Sequence, residues 1–200
     1  MRKSILRLFL ASLFLVGSSG VASAILIHTA TDFSTGITYE FYYEANGISW
    51  GDAYSAAMDL GCMLAVVDSE AENEFVATAL AGLSTDLYNS FGVGPWLGAS
   101  AESSIAGFEW VDGSAFGPYT NWYGGEPNFG EGGVAQGLVY YNGGTHSGSM
   151  WADYGQNGGS HGQVVGYVVE CAPVPEPSTF FLLGGGLVGL AFAVRRRKEV

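Results

Sequence analysis

Between residues 25 and 173 the chain has no lysine and no arginine. All seven basic residues sit at the ends: Arg2, Lys3, Arg7, Arg195, Arg196, Arg197 and Lys198. Of the 19 acidic residues, only Glu176 and Glu199 fall outside that stretch. A body of this charge cannot neutralise phosphates, which excludes nucleic acid and anionic lipid surfaces as its partners. It also lacks the cations for internal Lys or Arg salt bridges, so its carboxylates need solvent counterions, bound divalent cations, or both. Cysteine is scarce as well: two in 200 residues exclude a disulfide-dense scaffold. No His-Glu-x-x-His or Cys-x-x-Cys zinc spacing occurs, and His28, His146 and His161 are scattered. Gly144-Thr145-His146-Ser147-Gly148 misses the Gly-x-Ser-x-Gly nucleophile pattern by one position and reads as a polar loop. A phosphate loop ending in Lys is impossible without a Lys. No spacing singles out a carboxylate pair for glycoside hydrolysis. The expectation is a protein that is not an enzyme.

The chain does have ample apolar and aromatic surface, 48% and 14% of residues, so disorder is excluded for the body. Its ends read as addresses. Met1 to Arg7 is basic, Leu8 to Val16 is a short apolar run, and Ala22-Ser23-Ala24 is a small-x-small cleavage pattern. Residues 1–24 are therefore expected to be a removed signal peptide. At the other end Phe180–Val194 carries no charge and is followed directly by three Arg and a Lys. As a helix those residues would span ~22 Å, against ~30 Å for the bilayer core. With Ser178 and Thr179 counted, the segment could barely cross, and its basic end would stay on the cytoplasmic side. Pro175-Glu176-Pro177, the apolar segment and the Arg-rich end, in that order, closely resemble the PEP-CTERM sorting signal of exported bacterial proteins. The resemblance implies an exosortase-type processing enzyme as partner, at least transient membrane contact through the tail, and delivery to the cell surface or extracellular matrix. The expected organisation is a signal peptide at 1–24, one domain at 25–172 and the sorting tail at 173–200.

Within the body, Tyr39–Tyr43 is aromatic-rich and is followed by an Asn46-Gly47 turn signal. Trp50, Ala53, Ala57 and Leu60 form a helical stripe. Leu64–Val67 fits a short buried strand. Ser69-x-x-Glu72 has capping-box spacing for a second helix, with Phe75, Val76 and Leu80 as its apolar face. Beyond Leu83 the chain is Gly-rich, with Trp96, Trp110, Trp122 and Trp151 spread among turn signals, and Val164–Val169 reads as a closing strand. Helices early and strands late make the class α+β.

Several of these segments together resemble the C-type lectin-like domain. Trp50, Ala53, Gly61, Leu64 and Ala65 match its opening signature, and Glu72-Asn73-Glu74-Phe75-Val76 its second helix. Trp96-Leu97-Gly98, Trp110-Val111-Asp112-Gly113, Asn121-Trp122, Glu126-Pro127-Asn128 and Tyr167-Val168-Val169-Glu170 follow in the family's order. The resemblance implies two helices, small antiparallel sheets and a long Gly-rich loop region, with the tryptophans at 50, 96, 110 and 122 in packing roles. The family's usual disulfide would join the positions of Ala57 and Val169. Here Cys62 and Cys171 lie five and two residues further on. Export puts them in an oxidising compartment, and a bond requires Cα atoms within about 7 Å.

In the family the proline of Glu-Pro-Asn is cis, which turns both flanking side chains towards one Ca²⁺, and two sugar hydroxyls complete the shell. By resemblance, Glu126, Asn128 and Asp153 would bind carbohydrate, with a mannose- or glucose-type preference. The same three residues and Glu131 would hold the metal. The later Trp-Asn-Asp triplet reads Trp151-Ala152-Asp153, so Ala152 supplies no ligand, and the family's intervening Glu falls near Ala135 and Gln136. Two functions follow. One is an exported carbohydrate-binding module for matrix or cell-surface polysaccharide. The other is a structural or adhesive lectin-like domain that makes protein contacts without sugar or calcium.

Overall fold

Ser49 starts the first helix by accepting the Asp52 N–H at 3.1 Å on its hydroxyl. Trp50, Ala53 and Ala57 then lie on one buried face of the helix (α1, Trp50–Asp59). Leu60, expected to extend that stripe, is instead the C-cap and is 49% exposed, because Gly61 turns the chain away with φ +73°. The second helix (α2, Glu70–Ala81) is capped by Ser69, whose hydroxyl accepts the Glu72 N–H. The reciprocal half of the expected capping box is absent. The Glu72 carboxylate accepts instead from the Asp68 N–H and the Tyr39 hydroxyl.

The computed structural model describes residues 24–83, 86–103, 107–130, 135–145 and 148–172. Residues 1–23 of the expected leader, Glu131, His146 and the sorting tail with Pro175, Glu176 and Pro177 lie outside them. Strands β1 (Ile25–Thr31) and β2 (Thr38–Tyr43) precede α1, and β3 (Met63–Leu64) separates the helices. After α2 come β4 (Val93–Ala101), β5 (Glu109–Trp110), β6 (Gln136–Tyr141), β7 (Trp151–Gly155) and β8 (Gly166–Cys171). The strands expected in small antiparallel sheets join into one mixed sheet ordered β1-β2-β8-β4-β6-β7, with β3 on β8 and β5 on β4. The reason is the closing strand: β8 pairs antiparallel with β2 and parallel with β4 at Trp96↔Tyr167. Of the strand expected at Leu64–Val67 only Leu64 joins the ladder, together with Met63 before it, although Ala65, Val66 and Val67 are also buried. β1 had no sequence forecast.

Successive strand residues face opposite sides, and both sides are covered. Phe41, Leu97, Leu138, Tyr140 and Val168 share one core with Val76 and Leu80 of α2. Tyr42, Trp96, Val139, Tyr167 and Val169 share the other with Trp50, Ala53 and Ala57 of α1. Close approach demands Gly98: a Cβ there would meet the Leu64 carbonyl oxygen at 2.4 Å. Cys62 and Cys171 are bonded, with Cα atoms 4.7 Å apart, and tie the end of α1 to the end of β8.

That bond spans a sequence separation of 109 residues. Replacing both cysteines by serine should destabilise the domain by about 4–5 kcal/mol, the chain-entropy value for such a loop, read as a lower urea midpoint than the oxidised parent.

Candidate functional site

The long loop reaches its destination by attaching to the sheet edge. Trp122 forms a parallel bridge with Trp151, the Tyr123 N–H donates to the Trp151 carbonyl, and the Trp151 N–H donates to the Asn121 carbonyl, each bond at 2.8 Å. Two residues further along β7 stands Asp153; a few residues beyond Tyr123 stands Glu126. The Tyr123–Glu126 turn uses Gly125 at φ +99°, and the Glu126–Pro127 bond is cis.

Asp153 is 1% exposed, and its two carboxylate oxygens accept the Asn128 and Phe129 N–H groups, both at 2.7 Å. Charge-assisted bonds of this kind are the strong class. They hold Phe129 in the left-handed region (φ +53°), which bulky residues rarely enter, with its ring 5.9 Å from that of Phe108. Asn128 is exposed; its Nδ2 donates to Glu126 Oε1 at 2.9 Å and its Oδ1 accepts the Gly130 N–H at 2.7 Å. Burial and the adjoining Asp153 carboxylate push Glu126 up to about 7. Glu126, Asn128 and Asp153 line one cavity of about 50 Å³ together with Tyr141, Ala152 and His161.

The structure therefore brings together three of the expected site residues across 27 positions of sequence. Ala152 is 6% exposed and turns a methyl to that cavity, and Gln136 is fully buried at the start of β6. His161 was one of three scattered histidines in the sequence. It joins the cavity because the turns after β7 fold back, with the Tyr154 hydroxyl accepting the His161 N–H at 3.1 Å. A second group of carboxylates also went unforeseen. Glu170 on β8 accepts the Val66 N–H at 2.9 Å, close to Glu72, Asp68 and Asp112. Burial first, then these like charges, push Glu170 up to about 7, and burial raises Glu72 too.

The donors at Glu126, Asn128 and Asp153 are all hard oxygens, and the two carboxylates adjoin in a body that has no lysine or arginine. That donor set fits Ca²⁺. Three side chains form a sparse set, however, and both Asp153 oxygens already serve the loop backbone. Among the described residues no group of three or more His, Cys, Asp or Glu gathers to hold a metal.

Residues 173–198 match the PEP-CTERM protein-sorting motif, which marks an exported, surface-sorted protein. No curated protein matches the chain. Among solved structures, the carbohydrate-recognition domain of the mouse scavenger receptor C-type lectin is 19% identical, with 75% of this chain and 98% of that one covered and a TM-score of 0.51. Human lithostathine is 22% identical over 72% of this chain and 88% of its own, at a TM-score of 0.53. CEL-IV is 21% identical over 74% and 94%, at 0.52. The body has the C-type lectin-like fold. That fold agrees with the two helices and the mixed sheet. Among the described residues no helix is long and apolar enough to cross a membrane, and the apolar tail segment lies outside them.

Two outcomes follow from these carboxylates. Glu170 has a folded pKa near 7, above its unfolded value near 4.5, so its contribution to stability is full below about 4.5 and is lost as pH rises through 7. The melting temperature should therefore rise as pH falls from 8 to 5.5, and Glu170→Gln should flatten that slope. Asp153→Asn removes the acceptor for one of the two loop N–H groups. Hydrogen exchange at Asn128 and Phe129 should then quicken by roughly 10–100-fold, the equivalent of 1.5–3 kcal/mol, with β7 still protected.

Proposed function

We propose that this exported, surface-sorted lectin-like protein, freed of its leader after Ala24, binds carbohydrate of the matrix or cell surface at the Glu126 loop. The observation that carries the reading is the convergence of Glu126, Asn128 and Asp153 on one small surface cavity, with Asn128 exposed at its rim. Carboxylate oxygens accept from sugar hydroxyls, and the Asn128 amide can both donate and accept. Ca²⁺ would be held by Glu126, Asn128 and Asp153, with Glu131 as a fourth side chain. It would supply a positive centre for two neighbouring hydroxyls of a mannose- or glucose-type sugar. So few side chains imply a Kd of roughly 10⁻⁴–10⁻³ M, as in extracellular modules. The PEP-CTERM tail would pass through an exosortase-type enzyme on the way to the surface.

Ala152 favours a second reading, because its methyl occupies the place of an expected amide ligand. Under it the lectin-like body is structural or adhesive and contacts protein.

A calcium titration followed by thermal unfolding separates the two. Saturable stabilisation in the millimolar range or below, absent in Glu126→Gln and absent with magnesium, supports the calcium site. Retention on a mannose or glucose resin that is lost in EDTA then supports the sugar. Equal responses to calcium and magnesium would instead point to general screening of an anionic body and to the second reading.

A further inference from the structure

A cleft of about 950 Å³ opens between α1 and the end of β2, and its lining includes neither Glu126, Asn128 nor Asp153. Glu44, Asp52 and Asp59 line it, with the stacked rings of Tyr42 and Tyr167 and with Ala24. Glu44 is the unusual member. It is 7% exposed, and its carboxylate has one hydrogen bond among the described residues, from the Asn46 N–H at 3.3 Å. A buried carboxylate normally has a counter-charge or several N–H donors. No lysine or arginine of the body can supply one, since there is none. Asp59 makes the cleft more anionic still, because it stands in the last turn of α1, whose carbonyl end is already negative and carries no basic residue.

One cation can arise beside this cleft. Ile25 pairs with Tyr43, and continuing that antiparallel register sets Ala24 opposite Glu44, where both line the cleft. Ala24 is also the last residue of the small-x-small cleavage pattern. We propose that the α-ammonium of Ile25, created when the leader is cut after Ala24, enters this cleft and pairs with Glu44. The inference rests on the leader removal proposed above and is independent of calcium and sugar. In the cut, water breaks the Ala24–Ile25 amide: its oxygen goes to the Ala24 carbonyl carbon as a carboxylate, and both of its protons end on the Ile25 nitrogen. Before the cut that nitrogen is a neutral amide and Glu44 has no counter-charge. Removal of the leader thus completes the folded body electrostatically, on the exported side of the membrane.

The groups facing the ammonium all act in one direction or are neutral. Glu44 comes from the end of β2, Asp52 and Asp59 from α1, and the phenols of Tyr42 and Tyr167 from β2 and β8. Tyr42 passes its hydroxyl proton towards Glu40 at 2.7 Å. The carboxylates favour the charged amine over the free one, so its titration should move above the ordinary range near 8.

Acylation by acetic anhydride between pH 6 and 9 tests this on the processed exported chain. With no lysine in the body, the label on the peptide that begins at Ile25 reports the α-amine alone. In the parent this amine should acylate roughly tenfold more slowly at pH 7–8 than in Glu44→Gln, as a shift of about one pKa unit requires. Asp59→Asn should give part of that acceleration. If Glu44→Gln does not fold, the parent is compared with itself in urea, where the amine should react about tenfold faster. Equal rates in either comparison overturn the pairing while leaving leader removal intact. A processed chain that begins elsewhere than Ile25 overturns both.

Discussion

The body has carboxylates but no lysine or arginine, so its buried and half-buried acids, Glu44 apart, lean on N–H and O–H groups of the chain itself. Asp153 takes two backbone N–H groups, Glu170 takes that of Val66, and Glu72 takes the Asp68 N–H and the Tyr39 hydroxyl. Apart from the local Asp68–Glu72 bond, each joins a strand or helix to a segment distant in sequence, so the acids act as fasteners. Burial first, and then the carboxylates close by, push both Glu126 and Glu170 up to about 7.

Asparagine performs the neutral counterpart of that role. Asn73 on α2 is 1% exposed; its Oδ1 accepts the Trp151 indole N–H at 2.9 Å and the Tyr140 hydroxyl at 3.1 Å, and its Nδ2 donates to the Ser149 carbonyl. The helix is thereby locked to β6, to β7 and to the turn before β7. Because β7 is the edge to which residues 121–123 attach, this buried amide helps to set the height at which the Glu126 loop meets Asp153. Site and core are one network, with Trp151 in its middle.

The charge distribution also suits an exported protein. The lysines and arginines are confined to residues 2–7 and 195–198, and the body is left to recruit positive charge from its surroundings. A divalent ion at the Glu126 loop and an ammonium beside Glu44 would be two expressions of the same deficit, on separate parts of the lectin-like fold.

The sequence by itself determined the local features: the two helices and the serine cap of the second, the closing strand to within two residues at each end, the sorting tail, the absence of lysine and arginine from the body, and the ordered motifs of a lectin-like domain. These are written in short spacings, which local sterics and hydrogen bonding decode. Only the tertiary structure decided what depends on long-range register. It placed β8 between β2 and β4, merging the sheets, and kept Ala65–Val67 off the ladder while burying them. It brought Cys62 within bonding distance of Cys171, His161 to the Glu126 cavity, and Glu170 to Glu72. No local pattern encodes these meetings, because each follows from where a strand lies when both faces of the sheet must be buried at once.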